Sequence, residues 1–272
     1  MKIALVYFSG TGVTAKFAHD LAEGFKEQQS EVEFFRLKRG TKLDLADFDI
    51  IGIGSPAYSF RIPWLASRLI RETNFHFKPI FIFCTSGGMP GNALWNIYRA
   101  ARKTTAICLG FIEGIGTTNL RSWMPKKNDE KVVLRGLIDT YINNAKRYGA
   151  DIINRYNSWK QNPTKGLQKK WKPFLGLMTL IWTSLFTWRW QMALTVGLKR
   201  VNKEKCTNCN LCAEKICPSG AIELREDDYP KFNEWKCVGC NGCVNLCPED
   251  AIWSYMTRKH VQYDLYADYI LK

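Results

Sequence analysis

Eight of the ten cysteines fall between positions 206 and 247, in two runs: Cys206-x2-Cys209-x2-Cys212-x4-Cys217-Pro218 and Cys237-x2-Cys240-x2-Cys243-x3-Cys247-Pro248. Thiolates are soft ligands that select zinc, copper or iron–sulfur clusters. Structural zinc takes its four ligands as two separated pairs, so two zinc ribbons are the alternative to be tested. Three cysteines at i, i+3 and i+6 with a more distant fourth suit a cuboidal [4Fe–4S] cluster, which a short loop wraps through three corners. The first run has one residue more before its last cysteine. That changes the path to Cys217 without removing a ligand.

The second run matches the pattern of bacterial ferredoxins, and roughly residues 201–256 resemble their two-cluster members. In those proteins the fourth cysteine of each run ligates the other cluster. The resemblance therefore implies one cluster on Cys206, Cys209, Cys212 and Cys247, and another on Cys237, Cys240, Cys243 and Cys217. Each run is followed by an apolar segment, AIEL and AIWSY, as in an internally duplicated fold.

Such centres need a scaffold, and the 272 residues suggest about two domains. Hydrophobic residues make up 46% of the sequence, enough for packed cores. KIALVYF, EVEFFRL, DIIGIGS, PIFIFCTS and TAICLGFIE read as five strands. Between them TAKFAHDLAEGFKEQ, WLASRLIRE and NALWNIYRAARK have helical spacing of apolar residues. The expected fold class is α/β, a doubly wound parallel five-stranded sheet, plus a small α+β cluster domain. The expected division is 1–150 for the sheet domain, 151–200 for a basic, aromatic-rich linker and 201–272 for the cluster domain with a docking tail.

Ligands of such sheets bind beyond the carboxyl ends of the strands, where three stretches stand out. The first is Ser9, Gly10, Thr11, Gly12, Val13 and Thr14, whose glycines, hydroxyls and following helix N-terminus suit a phosphate. It lacks both GxxxxGK[ST] and GxGxxG, so neither an ATP-type loop nor a dinucleotide fingerprint is present. The second is Ser55, Pro56, Ala57, Tyr58, Ser59 and Phe60, leading to Trp64. The third runs through Thr85, Ser86, Gly87, Gly88 and Gly91 to Asn92. Singly each reads as an ordinary loop; together they suit a flat heterocycle bearing a phosphate.

On these stretches residues 1–150 resemble the flavodoxin family. The resemblance implies FMN, with its phosphate on Ser9–Thr14, its ring between the second and third loops, and Tyr58 stacked on it. Flavodoxins are usually acidic, whereas this half is basic. A longer stretch after the fifth strand, GTTNLRSWMPKKND, reads as a third ring-contacting loop or as a contact surface.

The charge is uneven: residues 1–150 carry a net +8, 151–200 a net +8 and 201–272 a net −2. A basic face attracts acidic partners, but no nucleic-acid-binding signature accompanies it, so nucleic acid is excluded from the expected partners. Within the linker, Pro173–Trp188 is uncharged and flanked by basic residues. It reads as a helix docked between the domains, as an interfacial helix making peripheral membrane contact through 169–200, or as a spanning helix. The C-terminal tail reads as a helix docking on the cluster domain. The N-terminus lacks a cleavage site, and the expected compartment is the cytoplasm, including the inner face of its membrane.

No Ser-His-Asp or paired-carboxylate pattern is present, His19, His76 and His260 have no partner motif, and Cys84 and Cys108 read as buried apolar residues. The expected function is electron transfer between two [4Fe–4S] clusters and FMN, and on to a redox protein or a membrane electron-transfer complex. The alternative is an FMN-dependent reductase of a small organic substrate. The domain pairing is similar to that of ferredoxin-fused flavodoxin-type proteins.

Overall fold

The computed structural model describes residues 1–117, 139–163, 196–224, 229–258 and 261–271. Apolar runs at the start of the sequence form β1 (Lys2–Tyr7), β3 (Ile50–Pro56) and β4 (Lys78–Ser86), almost wholly buried, as strands covered on both faces must be. At the edges lie β2 (Glu31–Arg36), alternating in burial, and β5 (Thr105–Ile115). All pair in parallel in the order β2-β1-β3-β4-β5, the flavodoxin-type doubly wound order.

Helices α2 (Trp64–Glu72) and α3 (Ala93–Ala101) cover one face with Leu65, Ala66, Leu69, Ile70, Leu94 and Ile97. Helices α1 (Val13–Lys26) and α4 (Asp139–Gln161) cover the other. Residue 150, the expected domain boundary, falls inside α4. That helix packs on α1 and β5 through Ala145, Ile152 and Ile153, so the sheet domain continues to Gln161. The sequence hid this because α4 is polar on its outer side and carries the basic residues that suggest a linker.

The second domain is small and symmetric. β6 (Lys199–Val201) pairs antiparallel with β9 (Ile252–Ser254), and β7 (Ile222–Leu224) with β8 (Pro230–Phe232). Between the ladders lie a π-helical turn, Cys212–Ile216, and a short helix α5, Gly242–Asn245.

The two domains share cores. Val238 and Cys240 join the α2/α3 face of the sheet domain, and Tyr263 and Tyr266 of the tail join the α1/α4 face. The sequence suggests that the tail docks on the cluster domain alone. Instead it packs on both domains, ending in a single helical turn, α6 (Asp268–Leu271), with Tyr269 against His19 of α1. No helix among the described residues is long and apolar enough to cross a membrane. Pro173–Trp188 and most of GTTNLRSWMPKKND lie outside the described residues.

Candidate functional site

The two cysteine runs fold into the same backbone shape. In each, the third and fifth positions are left-handed: Asn208 (φ 55°) and Asn210 (φ 59°) in the first, Gly239 (φ 70°) and Asn241 (φ 52°) in the second. Asn and Gly tolerate that region, which curls the loop so that three sulfurs face inward. These asparagines were a legible sign of the duplication that cysteine spacing alone did not use.

The extra residue of the first run is absorbed as a π turn. The N–H of Cys217 donates to Cys212 O at 3.0 Å, five residues back, whereas Leu246 in the second copy donates to Gly242 O at 2.9 Å, four back. A single inserted residue is what a π turn accommodates within a helix.

The sulfurs do not group by run. Cys206, Cys209, Cys212 and Cys247 line one cavity, with Leu211, Pro230 and Ile252. Cys217, Cys237, Cys240 and Cys243 line another, with Lys199, Val238 and Phe232. Cys209 of the first set is exposed, while Cys240 and Cys243 of the second are buried. The first cavity is therefore the outer one and the second the inner one.

Among the described residues no three His, Cys, Asp or Glu side chains gather tightly enough to hold a single metal ion. A mononuclear zinc centre needs four ligands about 2.3 Å from one point. Each set of four cysteines surrounds a volume instead, which fits a cuboidal cluster.

Backbone N–H groups point at the sulfurs: Gly239 to Cys237 at 3.3 Å, Gly242 to Cys240 at 3.5 Å, Ala221 to Cys217 at 3.3 Å and Ala251 to Cys247 at 3.4 Å. Such bonds stabilise thiolates and tune a cluster's potential. Burial pushes the Cys212 and Cys240 thiols up to about 12, with neighbouring thiolates adding to it, so four thiolates in one cavity need a cationic group among them.

Besides the cysteines, Lys199 and Glu234 are the charged side chains of the inner cavity. Lys199 Nζ lies 3.1 Å from Glu234 Oε2 and 3.2 Å from Gly197 O, with the lysine side chain 2% exposed. Burial acts to lower its pKa, but the Cys237 thiolate and Glu234 outweigh this and hold it above the usual lysine value.

The three loops of the sheet domain come together at the carboxyl edge. Thr14 and Thr85 share a hydroxyl hydrogen bond of 2.7 Å, joining the first loop to the third, and Ala57 N–H donates to Thr85 O at 2.8 Å, joining the second. Asn92 N–H closes on Phe60 O at 2.8 Å. Ser59 (φ 49°) and Phe60 (φ 67°) are left-handed, which is rare for a bulky side chain and holds this turn in a strained shape. Gly87 and Gly88 are exposed at the rim, and Ser86 Oγ donates to Glu113 at 2.8 Å.

Ser9 to Thr14 are all buried. Ser9 Oγ accepts from Ala15 N–H at 3.4 Å, and Lys16 N–H donates to Gly12 O at 2.8 Å. Among the described residues, no acceptor receives the N–H groups of Gly10, Thr11, Gly12, Val13 or Thr14. Five consecutive buried donors at a helix N-terminus, curled by Gly12 at φ 95°, form a nest for an anion and fit a phosphate.

This turn touches the cluster domain. A Cβ on Gly10 would lie 2.5 Å from Cys240 Cβ, 3.1 Å from its Sγ and 3.0 Å from Tyr58 Oη. Tyr58, expected to stack on a flavin, thus directs its hydroxyl to the cysteine side of the turn, where burial and the Cys240 thiolate raise its pKa. Gly12 meets Tyr266 O. The sequence did not single out Arg36, the first of three cations at the carboxyl end of β2, followed by Lys38 and Arg39. Arg36 Nε donates to Ser9 O at 3.2 Å and its terminal nitrogens to Lys215 O at 2.9 Å and Ile216 O at 2.8 Å, tying the turn to the end of the π turn. Trp64 Nε1 reaches Cys237 O at 3.5 Å.

The family model of the 4Fe-4S dicluster domain matches residues 199–253. The protein joins a flavodoxin-type domain to a ferredoxin-type iron–sulfur domain. Curated relatives match over short stretches of this sequence. A component of the anaerobic dimethyl sulfoxide reductase of Escherichia coli is 38% identical over 58 residues, 20% of this sequence and 28% of that one. A component of the ion-translocating oxidoreductase complex of Methanosarcina acetivorans is 40% identical over 55 residues, 20% of each. The match thus spans less than a third of these relatives' length. Solved structures similar to the flavodoxin-type domain include a flavodoxin from the domain Archaea, with TM-score 0.44, 19% identity, and coverage of 58% of this sequence and 99% of that one. Flavodoxin 1 from Bacillus cereus gives TM-score 0.43 and 15% identity, covering 57% and 98%. Strand order, rather than these scores, assigns the fold.

Proposed function

We propose that this protein passes electrons between two [4Fe–4S] clusters and an FMN held in one polypeptide, and exchanges them with a redox partner. The contact of Gly10 with Cys240 carries this reading, because it sets the anion-binding turn of one domain against the inner cysteine cavity of the other. The bound groups supply the redox chemistry, clusters exchanging single electrons and a flavin one or two.

The protein's own residues bind, orient and insulate. The N–H groups of Gly10 to Thr14, with the hydroxyls of Ser9, Thr11 and Thr14, hold the FMN phosphate. The loops Ser55–Phe60 and Thr85–Gly91 flank the ring. Cys206, Cys209, Cys212 and Cys247 hold the outer cluster, and Cys217, Cys237, Cys240 and Cys243 the inner one. Lys199 and Arg36 place fixed positive charge beside the inner set, and Tyr58 and Tyr266 exclude water from the turn.

Exposure of Cys209 favours the outer cavity as the side where a partner docks. Two relatives are named as parts of oxidoreductases, which supports a redox protein or a membrane electron-transfer complex as that partner. Protein purified without oxygen is expected to contain about eight iron atoms and about one FMN per polypeptide. Gly12→Ala, which puts a Cβ on Tyr266 O at a left-handed position, is expected to lose FMN while keeping its iron. Full iron with no flavin in the unaltered protein would contradict the reading.

A further inference from the structure

From position 68 to 103, through most of α2, β4 and α3, the sequence has six cations, Arg68, Arg71, Lys78, Arg99, Arg102 and Lys103, and one carboxylate, Glu72. All of these cations but Lys78 are exposed. On other surfaces opposite charges stand together, Lys26 with Glu23, Lys146 with Glu27, Lys205 with Asp250 and Lys236 with Glu223. Here Arg68 pairs with Glu72 at 2.7 Å, and Arg71 Nε donates to Ser67 O within its own helix at 3.2 Å. Among the described residues no ion pair joins Arg71, Arg99, Arg102 or Lys103 to a carboxylate.

We infer that this face docks an acidic electron-carrier protein over Trp64 and Trp235. This assignment rests on the reading of the inner cysteines as cluster ligands, and it adds a second docking face to the one at Cys209. Trp64 opens α2, and its indole Nε1 reaches Cys237 O at 3.5 Å. Trp235 stands two residues before Cys237 and is 70% exposed. A partner seated here meets the inner cavity through these two rings, although Cys240 and Cys243 are themselves buried. One electron crosses, oxidising one centre and reducing the other, and no bond forms or breaks.

The shape of the face favours a protein. A recess of about 340 Å³ lies between α2 and α3, with Trp64, Ser67, Arg71 and Arg99 in its lining. Another of about 240 Å³ lies on the opposite side of α2, between Arg68 and Trp235, and Trp64 borders both. Charge alone would suit an anionic membrane or a nucleic acid equally. Recesses beside tryptophan and arginine are instead where a partner's side chains anchor, since those two residue types carry much of the energy of protein interfaces. A one-signed surface also steers an acidic partner into place and speeds its encounter.

The test is calorimetric titration of protein carrying its full iron and flavin with an acidic plant-type ferredoxin, both oxidised, at low ionic strength. One-to-one binding is expected, weakening as salt is added. Arg71→Glu, Arg99→Glu and Trp235→Ala should each weaken it tenfold or more, about 1.4 kcal/mol. Lys160→Glu makes the same charge change at the exposed end of α4, across the sheet, and should leave binding unchanged. All four side chains are exposed, so the variants are expected to fold, and melting curves check this. Absence of binding by fully loaded protein overturns the face while leaving the electron-transfer reading in place; failure of that reading would show earlier, as protein without iron. Equal weakening by Lys160→Glu overturns it as well, reducing the effect to net charge. Binding to phosphatidylserine vesicles or duplex DNA and not to the ferredoxin, lost in Arg71→Glu, would give the face to lipid or nucleic acid and overturn it too.

Discussion

Gly10 and Cys240 lie in direct contact, with no room for a single added carbon: a Cβ on Gly10 would stand 2.5 Å from Cys240 Cβ. Gly10→Ala must therefore displace either the turn 9–14 or Cys240. Overpacking of this kind costs about 1–3 kcal/mol. The expected result is a lower melting temperature together with slower flavin reduction by the clusters, and a neutral effect on both would show that the contact is loose.

The grouping of cysteines across the two runs makes a paired prediction. Cys209→Ser should disturb only the outer cluster, and Cys240→Ser the inner one, each losing up to about four of about eight iron atoms. Electron paramagnetic resonance of the reduced protein reads which signal is lost. Cys217→Ser should then resemble Cys240→Ser, although Cys217 belongs to the first run, because it lines the same cavity. Resemblance to Cys209→Ser instead would assign ligands by run.

Lys199 places a buried positive charge beside Cys237 and Cys243. Reduction makes a cluster more negative, so Lys199→Met should move the inner potential downward, by roughly tens of millivolts. It also removes the ion pair with Glu234, which keeps only the backbone N–H of residue 199 at 2.6 Å, at a cost of about 1.5–3 kcal/mol. Adding Glu234→Gln should recover part of both losses. Redox titration followed at the inner cluster's signal separates the electrostatic effect from the folding defect.

His19 stacks on Phe34 with ring centroids 3.8 Å apart, and burial lowers its pKa below the ordinary 6.5, with Lys26 and Lys16 adding to the effect. The unfolded state then binds the proton more tightly than the folded one. Stability from this group is complete above about pH 6.5 and is lost as pH falls toward the folded pKa. Melting temperatures between pH 8 and 5 should fall on acidification, and His19→Phe, which keeps the stack, should reduce that slope. An unchanged slope would exclude His19 as its source.

Much of this arrangement was legible in the sequence because it rests on local pattern. Continuous apolar runs mark β1, β3 and β4, and cysteine spacing with a trailing proline marks the two loops of matching shape. The relation between the domains was not legible, since nothing in SGTGVT or in Cys240 taken alone says that they meet. The same holds for Tyr266, an aromatic in a tail that reads as amphipathic whichever domain it covers, and for Arg36, whose bonds go to backbone carbonyls that carry no sequence signature. The boundary at 150 failed for a physical reason: α4 buries only one stripe, so its composition resembles a basic linker while its packing belongs to the sheet.

The central claim is that cluster and flavin exchange electrons inside one polypeptide, across the Gly10–Cys240 contact. The direct measurement is rapid photochemical reduction of the clusters without oxygen, with the flavin absorbance followed in time over a tenfold range of protein concentration. The account predicts a flavin signal whose rate is independent of concentration. A rate that rises in proportion to concentration, or a flavin that stays oxidised while the clusters are reduced, would contradict it.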